Sequence, residues 1–263
     1  MQKIIILIFT LCVFNTSFSQ SGWVQQTGGV GSQTLLGVSM ADANTGFICG
    51  VSGIILKTTN GGTNWVSIPS GTTKFIRTIK FINSNTGYAA GESDFILKPT
   101  NSGTNWTDQS VSTASAFVNI NFFDASTGTA CGQNGLIAST ANSGTSWNVQ
   151  TSGTVELTGA HFTNSATAYI SGFSGTILKT TNAGNNWFAI TSTVTTDLRA
   201  VFFTNENTGI VTGLNGTILR TTKAGAHWNV ITSGITNNLY SVYFANTNTG
   251  TVAGAGKIIR TTD

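Results

Sequence analysis

The chain has 263 residues, 12 basic and 9 acidic residues for a formal net charge of +3, and only 8% charged residues. A chain so sparsely charged, without a clustered basic face, gives no support for binding to nucleic acid or to an acidic membrane surface. Its 31 glycines stand beside 40% hydrophobic residues, and the regular spacing of those apolar residues favours a folded domain over a disordered segment.

Residues 1–19 have the pattern of a secretory signal peptide. Lys3 precedes an apolar run from Ile4 to Phe14, and the small residues Ser17 and Ser19 suit cleavage before residue 20. The run is well short of the roughly 20 apolar residues that a membrane-spanning helix needs. We therefore expect an exported protein, secreted or held at the cell surface or in the periplasm, with no membrane insertion after cleavage and one domain over residues 20–263.

Tryptophan recurs along the chain at a period near 41 residues, at Trp23, Trp65, Trp106, Trp147, Trp187 and Trp228. Such a period is typical of propeller blades or of a solenoid. Each unit carries four short strand-like runs separated by turns, such as WVSIPSG, IRTIKF, TGYAAG and DFILKP, and no helical period is sustained. The sequence therefore predicts an all-β fold, a β-propeller of six four-stranded blades with about 41 residues per blade.

Two columns in the second run of each unit alternate as one face of a strand does. One column is Val38, Ile79, Ile120, Ala160, Val201 and Val242, and the other is Met40, Phe81, Phe122, Phe162, Phe203 and Phe244. We predict that both columns form the core between blades. Between the third and fourth runs, Asn134-Gly135 and Asn215-Gly216 predict hairpin turns of type I′.

The number of blades depends on how the two ends of the chain are interpreted. If the ring closes, the strand around Trp23 completes a sixth blade that the C-terminal residues open. The chain ends on Thr261, Thr262 and Asp263, which read as the start of a further repeat. A piece of a longer protein, with seven blades or a sorting domain, would read the same, so both interpretations stay open.

An octapeptide, TTNGGTNW at residues 58–65, occurs five times as Thr-x-Asn-x-Gly-x-x-Trp, with Pro99 and Lys223 as departures. Asparagine can accept backbone N–H bonds inside a turn, glycine permits positive φ, and tryptophan buries its ring against a sheet. We predict that these turns are structural. Their residues are Thr58, Asn60, Gly62, Trp65, Asn101, Gly103, Trp106, Asn142, Gly144, Trp147, Asn182, Gly184, Trp187, Gly225 and Trp228.

The octapeptide resembles the Asp-box of bacterial neuraminidase-type repeats, Ser/Thr-x-Asp-x-Gly-x-x-Trp, with asparagine in the aspartate place. Over nearly all of residues 20–263, the layout is similar to the secreted propellers grouped with the photosystem II assembly and stability factor family. The resemblance implies octapeptides on the outer edge of the blades, away from a central channel where substrates bind. It also implies a protein that holds another protein, although four scattered arginines do not match the arginine-rich patch credited to photosynthetic members.

Sialidases share the octapeptide motif and supply the enzyme alternative. They use three arginines, a tyrosine with a glutamate partner and an aspartate, a variation on two-carboxylate hydrolysis. This chain lacks their early Arg-Ile-Pro segment and has only Arg77, Arg199, Arg220 and Arg260. Arg220 and Arg260 share a column with Lys57, Lys98 and Lys179, and we interpret these two arginines as solvated charges at the repeat edge. We predict no catalytic residue.

Arg77 and Arg199 share a second column with Leu36, Val118, Thr158 and Tyr240. The side-chain type varies from blade to blade in this column. Such variation is typical of a binding surface, and equally of a surface where substitutions have no effect. Arg77, Arg199 and Tyr240 are the predicted candidates for contact with a partner.

No metal ligand and no cofactor are predicted. His161 and His227 lie in different strand types and have no second ligand at metal-binding spacing. Cys49 and Cys131 fall two blades apart in a column of small residues, which predicts buried free thiols rather than a disulfide. The sequence thus favours a non-enzymatic binding or scaffold propeller for a protein or glycan, with a sialidase-like glycan hydrolase as the alternative.

Overall fold

The computed structural model describes residues 33–99 and 101–262, which form 23 β-strands and two single 3₁₀ turns, Val51–Gly53 and Gln133–Gly135. The strands make six antiparallel sheets, each of consecutive strands. They are the blades of a propeller ring, so the predicted all-β fold of six blades is confirmed. The predicted leader and the strand around Trp23 lie outside the described residues. Within the described part of the chain, no helix is long and apolar enough to cross a membrane.

Each sheet begins with a strand of six residues, here called the inner strand. The inner strands are β1 (Leu35–Met40), β5 (Ile76–Phe81), β9 (Phe117–Phe122), β13 (Leu157–Phe162), β17 (Leu198–Phe203) and β21 (Leu239–Phe244). The second strands are β2 (Gly46–Gly50), β6 (Gly87–Gly91), β10 (Gly128–Gly132), β14 (Ala168–Gly172), β18 (Gly209–Gly213) and β22 (Gly250–Gly254).

The third strands are β3 (Ile55–Thr58), β7 (Ile96–Pro99), β11 (Leu136–Thr140), β15 (Ile177–Thr180), β19 (Ile218–Thr221) and β23 (Lys257–Thr261). The outer strands are β4 (Val66–Ile68), β8 (Trp106–Asp108), β12 (Asn148–Thr151), β16 (Phe188–Ile190) and β20 (Asn229–Ile231). Among the described residues the sixth sheet has three strands and the other five sheets have four.

The inner strands stand closest to the axis of the ring. Each inner strand lies against the inner strand of the next sheet, from β1 on β5 through to β17 on β21. Side chains on these strands also bond across the interface: Ser39 Oγ accepts the Phe81 N–H at 2.9 Å, and Thr158 Oγ1 donates to the Leu198 carbonyl at 2.8 Å. Inner-strand positions are therefore the ones that can face a central channel.

The core between blades follows the predicted columns, with two exceptions. The predicted residues of the second to fifth sheets are buried, as is Val242, and Phe244 is half-buried. The prediction is wrong for Val38 and Met40, whose side chains are 65% and 46% exposed. The reason is their place in the first sheet, where no sheet of the described chain packs on that face.

Two sets of turns hold the strands in register. In every blade an aspartate or asparagine after the inner strand accepts two backbone N–H bonds, as Asp42 does from Asn44 and Thr45 at 2.8 and 2.7 Å. These bonds lower the pKa of Asp42. Asn134 and Gly135 have φ values of 55° and 66°, and Asn215 and Gly216 have 56° and 68°. Two successive positive φ values define a type I′ turn, so both predicted turns are confirmed.

Candidate functional site

The inner strands run between two faces of the ring that differ in construction. At their starting end, the hairpin between second and third strands bonds to the loop entering the next blade, as Gly216 N–H does to the Asn237 carbonyl at 2.9 Å. We call this end the loop face. At the other end, each octapeptide bonds to the turn after the inner strand, as Ala224 N–H does to the Asn207 carbonyl at 2.9 Å. We call this end the octapeptide face.

The octapeptides are closed turns whose polar groups bond to one another. Thr140 Oγ1 accepts the Gly144 N–H at 2.9 Å and donates to Asn142 Oδ1 at 3.0 Å, and that oxygen accepts the Ser146 N–H at 3.0 Å. The same bonds occur at Thr58 and Thr180, with distances of 2.9 to 3.0 Å. Gly144 has a φ of 74°. An asparagine whose carbonyl oxygen is engaged inside its own turn has less capacity for an outside ligand.

The lysines in the column before the octapeptides form a bridge between blades. Lys57, Lys98 and Lys179 are half-buried and donate to a backbone carbonyl in the next blade's octapeptide at 2.9, 2.7 and 2.9 Å. Each ammonium lies over an aromatic ring, at 5.6, 5.6 and 5.3 Å from the ring centre. The prediction fits Arg220 and Arg260, which are exposed.

We expect Lys179→Met to lower the free energy of unfolding by about 1–2 kcal/mol, because the change removes a charge-assisted hydrogen bond to the Ala224 carbonyl. Urea unfolding followed by circular dichroism measures the difference. Arg220→Met is the matched control, since it occupies the same column in exposed form and should cost less than about 0.5 kcal/mol. Equal losses in the two variants would contradict a bridging role.

The three predicted partner-binding residues lie at the loop face. Arg199 and Tyr240 stand on neighbouring inner strands, and Arg77 lies three blades before Arg199. The Arg199 guanidinium lies 4.4 Å from the centre of the Phe173 ring and 3.8 Å from an oxygen of Asp197. The Nε atoms of Arg77 and Arg199 are buried, and neither has a hydrogen-bond partner among the described residues. Tyr240 is half exposed, at 50%.

A second column, missed from the sequence, lies toward the octapeptide face of the inner strands. It holds Lys80, Asn121, His161, Phe202 and Tyr243 in five successive blades, and we call it the channel column. The His161 and Phe202 rings are 4.6 Å apart, and the Phe202 and Tyr243 rings are 5.5 Å apart. Its signal in the sequence is a side chain that changes in every blade directly before the repeated phenylalanine.

Burial shifts the pKa values of the two titratable bases in the channel column, Lys80 and His161. Desolvation lowers the pKa of Lys80. Desolvation, and next the positive charge of Lys80, lower the pKa of His161 to about 4. His161 is therefore neutral at physiological pH, and Lys80 supplies the positive charge at this level of the ring.

Acidification should destabilise the protein partly through His161. Its folded pKa is below the value near 6.5 of an unfolded histidine, so its contribution to stability is complete above pH 6.5 and is lost as pH falls toward 4. We expect His161→Asn to lose about 2 kcal/mol less than the parent chain between pH 7 and pH 4 in urea unfolding. His227→Asn is the control, because His227 is exposed. If His161→Asn lost as much unfolding free energy between pH 7 and pH 4 as the parent chain, the prediction would be contradicted.

Two cysteines and several carboxylates of the described residues are buried or engaged in turns. Cys49 and Cys131 are buried free thiols, as predicted, and burial raises the pKa of both, that of Cys49 to about 12. Several carboxylates bond to backbone N–H groups in turns, including Asp108 and Asp124. Over residues 33–99 and 101–262, no three His, Cys, Asp or Glu side chains are grouped to hold a metal ion.

A ring of antiparallel blades, with tryptophan turns repeated between them and varied side chains on the inner strands, defines a β-propeller of the BNR-like kind. The chain belongs to the family described as Photosynthesis system II assembly factor YCF48, whose model matches residues 16–155 and 106–191. No curated protein matches the chain in a comparison of sequences.

Solved structures resemble this propeller at low sequence identity. Two YCF48 structures, one bound to a D1 peptide and one from Cyanidioschyzon merolae, have TM-scores of 0.48 at 17% and 16% identity; they cover 88% and 87% of this chain and 93% and 95% of theirs. The GH74 xyloglucanase from Xanthomonas campestris has a TM-score of 0.72 at 11% identity, over 86% of this chain and 44% of its own. An ancestral GH74 enzyme has a TM-score of 0.70 at 17% identity, over 84% of this chain and 34% of its own. The GH74 likeness shows the fold alone.

Proposed function

We propose that the chain is an exported, non-enzymatic binding or scaffold propeller that holds a protein or glycan partner at the envelope or cell surface. The observation that carries the proposal is the column of Arg77, Arg199 and Tyr240 at the loop face. The inner-strand column beside it is fully buried and apolar in the second to sixth blades, at Ile76, Phe117, Leu157, Leu198 and Leu239. Folding thus restricts one column to apolar residues, while its neighbour changes type from blade to blade.

The chemistry of the arginines suits a carboxylate partner. A guanidinium presents several N–H donors in a fixed planar arrangement that matches the two oxygens of a carboxylate. Acidic protein segments and acidic sugars both offer the required group.

Two further observations support parts of the proposal. Membership of a family described as an assembly factor supports a protein partner, because assembly acts on other proteins. Export rests on the leader pattern of residues 1–19. The non-enzymatic interpretation rests on the missing Arg-Ile-Pro segment of sialidases and on the carboxylates that are engaged in turns.

A fluorogenic glycoside panel and a glycan array, both run on the purified exported chain, test this function. We expect no turnover on any glycoside. Hydrolysis above the background of a heat-unfolded sample would overturn the non-enzymatic reading and favour a glycan hydrolase. On the array, signal that Arg77→Ala/Arg199→Ala loses and Arg220→Ala/Arg260→Ala keeps would assign a glycan partner, since both variants remove two positive charges.

A further inference from the structure

The channel column contains polar side chains that the described chain leaves without partners. In three successive blades it holds Lys80, Asn121 and His161, which are all half-buried. The described residues contain one ion pair, between Arg199 and Asp197, so no carboxylate among them neutralises Lys80. None of them forms a hydrogen bond with the Lys80 ammonium or with the side-chain amide of Asn121. A half-buried charge without a partner is costly, and a bound anion would remove that cost.

These three polar side chains lie close enough together to contact one ligand. Lys80 is two blades before His161, yet its charge acts with desolvation, the larger cause, to lower the pKa of His161 to about 4. Asn121 stands on β9, which packs against the inner strands of both neighbours. At neutral pH this part of the channel therefore presents an ammonium, an amide and an uncharged imidazole.

Aromatic rings continue the channel column in the next two blades. The Phe202 ring lies 4.6 Å from the His161 ring and 5.5 Å from the Tyr243 ring, measured between ring centres. Tyr243 is 64% exposed, so its ring and its hydroxyl are open to a ligand. The face of an aromatic ring is the negative part of its quadrupole, and it attracts the C–H groups on one side of a sugar ring.

Backbone groups of the inner strands are already bonded to side chains of the preceding blade. The N–H groups of Phe81, Ile120 and Ala160 donate to side-chain oxygens of Ser39, Thr78 and Asn119, at 2.9, 3.3 and 3.2 Å. An extended peptide that joins a strand edge needs free backbone groups of this kind. The channel wall therefore favours a ligand that side chains recognise.

We infer that the channel column binds a sugar acid, with the carboxylate at Lys80 and Asn121 and the sugar hydroxyls at His161 and Tyr243. Small-molecule sites combine aromatic walls with a few polar groups that fix the orientation of the ligand, and this column has both. An ammonium donates to a carboxylate, while an amide, an imidazole and a phenol can each bond to hydroxyls. The site lies toward the octapeptide face, so it is separate from the arginines of the loop face.

Titration calorimetry of the purified chain with D-glucuronate tests this inference. We expect a dissociation constant of about 1 mM, which is typical of so small a ligand. D-glucose lacks the carboxylate and acetate lacks the sugar ring, so each should bind at least about tenfold more weakly.

Two variants and a matched control locate the sugar acid. Lys80→Met should weaken glucuronate binding at least about tenfold, and Tyr243→Ala should weaken it about threefold to tenfold. Lys223→Met is the control, because it removes an exposed lysine at the octapeptide face and should leave binding unchanged. Lys80→Met should also unfold in urea at the same midpoint as the parent chain or at a higher one, since it removes a half-buried charge without a partner.

Several results would overturn the inference. A lower unfolding midpoint in Lys80→Met would show that the ring already supplies this ammonium with a partner. Absent glucuronate binding, equal binding of glucose or acetate, or equal binding by the parent chain and Lys80→Met would also contradict a sugar-acid site. If Arg77→Ala/Arg199→Ala lost glucuronate binding and Lys80→Met kept it, the sugar acid would lie at the loop face. That result would overturn the channel site and support the proposed function.

Discussion

Trp228→Ala should lower the free energy of unfolding by about 4 kcal/mol, among the largest losses expected from one substitution in this chain. Trp228 is 2% exposed and packs edge-on against Phe203, with ring centres 6.0 Å apart and planes at 84°. Phe203 in turn stacks on Tyr169 at 4.0 Å. Removing the indole opens a cavity between the fourth and fifth blades, which rigid sheets on either side can close only in part.

Guanidinium unfolding followed by far-ultraviolet circular dichroism measures this loss without relying on tryptophan fluorescence. The control is Val230→Ala, since Val230 lies in the adjoining outer strand and is 61% exposed. We expect a cost below about 0.5 kcal/mol there. If Trp228→Ala lowered the free energy of unfolding no more than Val230→Ala does, the octapeptide tryptophans would not be the residues that hold neighbouring blades together.

Gly216→Ala should cost about 4 kcal/mol, a comparable loss with a different physical cause. Gly216 has a φ of 68°, and a Cβ there would lie 1.9 Å from the Ile235 carbonyl oxygen. The Gly216 N–H also donates to the Asn237 carbonyl at 2.9 Å. A methyl group would therefore push the loop that enters the sixth blade away from the hairpin that holds it.

Gly234→Ala separates the two contributions, because Gly234 has a similar φ of 73° and open space around its Cβ position. Left-handed backbone alone should cost about 1–2 kcal/mol. Thermal or guanidinium unfolding of both variants gives the difference. Equal losses at Gly216 and Gly234 would mean that backbone strain, rather than the close approach to Ile235, determines the effect.

Two features of the sequence predict much of this fold. The spacing of the tryptophans predicts the blades, because it shows the length of the repeated unit, and the Asn-Gly pairs predict the turns, because turn type depends on local geometry. Val38 and Met40 were expected in the core, since their column is apolar in every unit. Burial at those two positions depends on which blade lies beside the first one, and no pattern within a repeat specifies that neighbour.

The bridging lysines illustrate a different limit. Lys179 donates to a backbone carbonyl 45 residues further along the chain, and a carbonyl group is present at every residue. A column of charged residues at the edge of a repeat therefore has the same sequence pattern whether its side chains are solvated or hydrogen-bonded to the next blade. The geometry of two packed blades is required to distinguish the cases.

The candidate site was predictable only as a column. The sequence aligns Arg77, Arg199 and Tyr240, while the structure adds the buried Nε atoms of the two arginines and the contact of Arg199 with Phe173. The sequence gives no sign that the charge of Lys80 acts on His161, because the two residues lie two blades apart. An electrostatic effect between blades leaves no local pattern in either strand.

Capture of partners from an extract of the producing cells, with immobilised chain variants, separates binding from folding most directly. Arg77→Ala/Arg199→Ala should reduce capture at least about tenfold and change the free energy of unfolding by less than about 1 kcal/mol. Thr140→Val, which removes the hydroxyl that accepts the Gly144 N–H, should cost about 1–2 kcal/mol of stability and leave capture per folded molecule unchanged. If the arginine variant captured as much partner as the parent chain, and folded Thr140→Val captured none, the account would be contradicted. Binding would then depend on the octapeptides and not on the loop face.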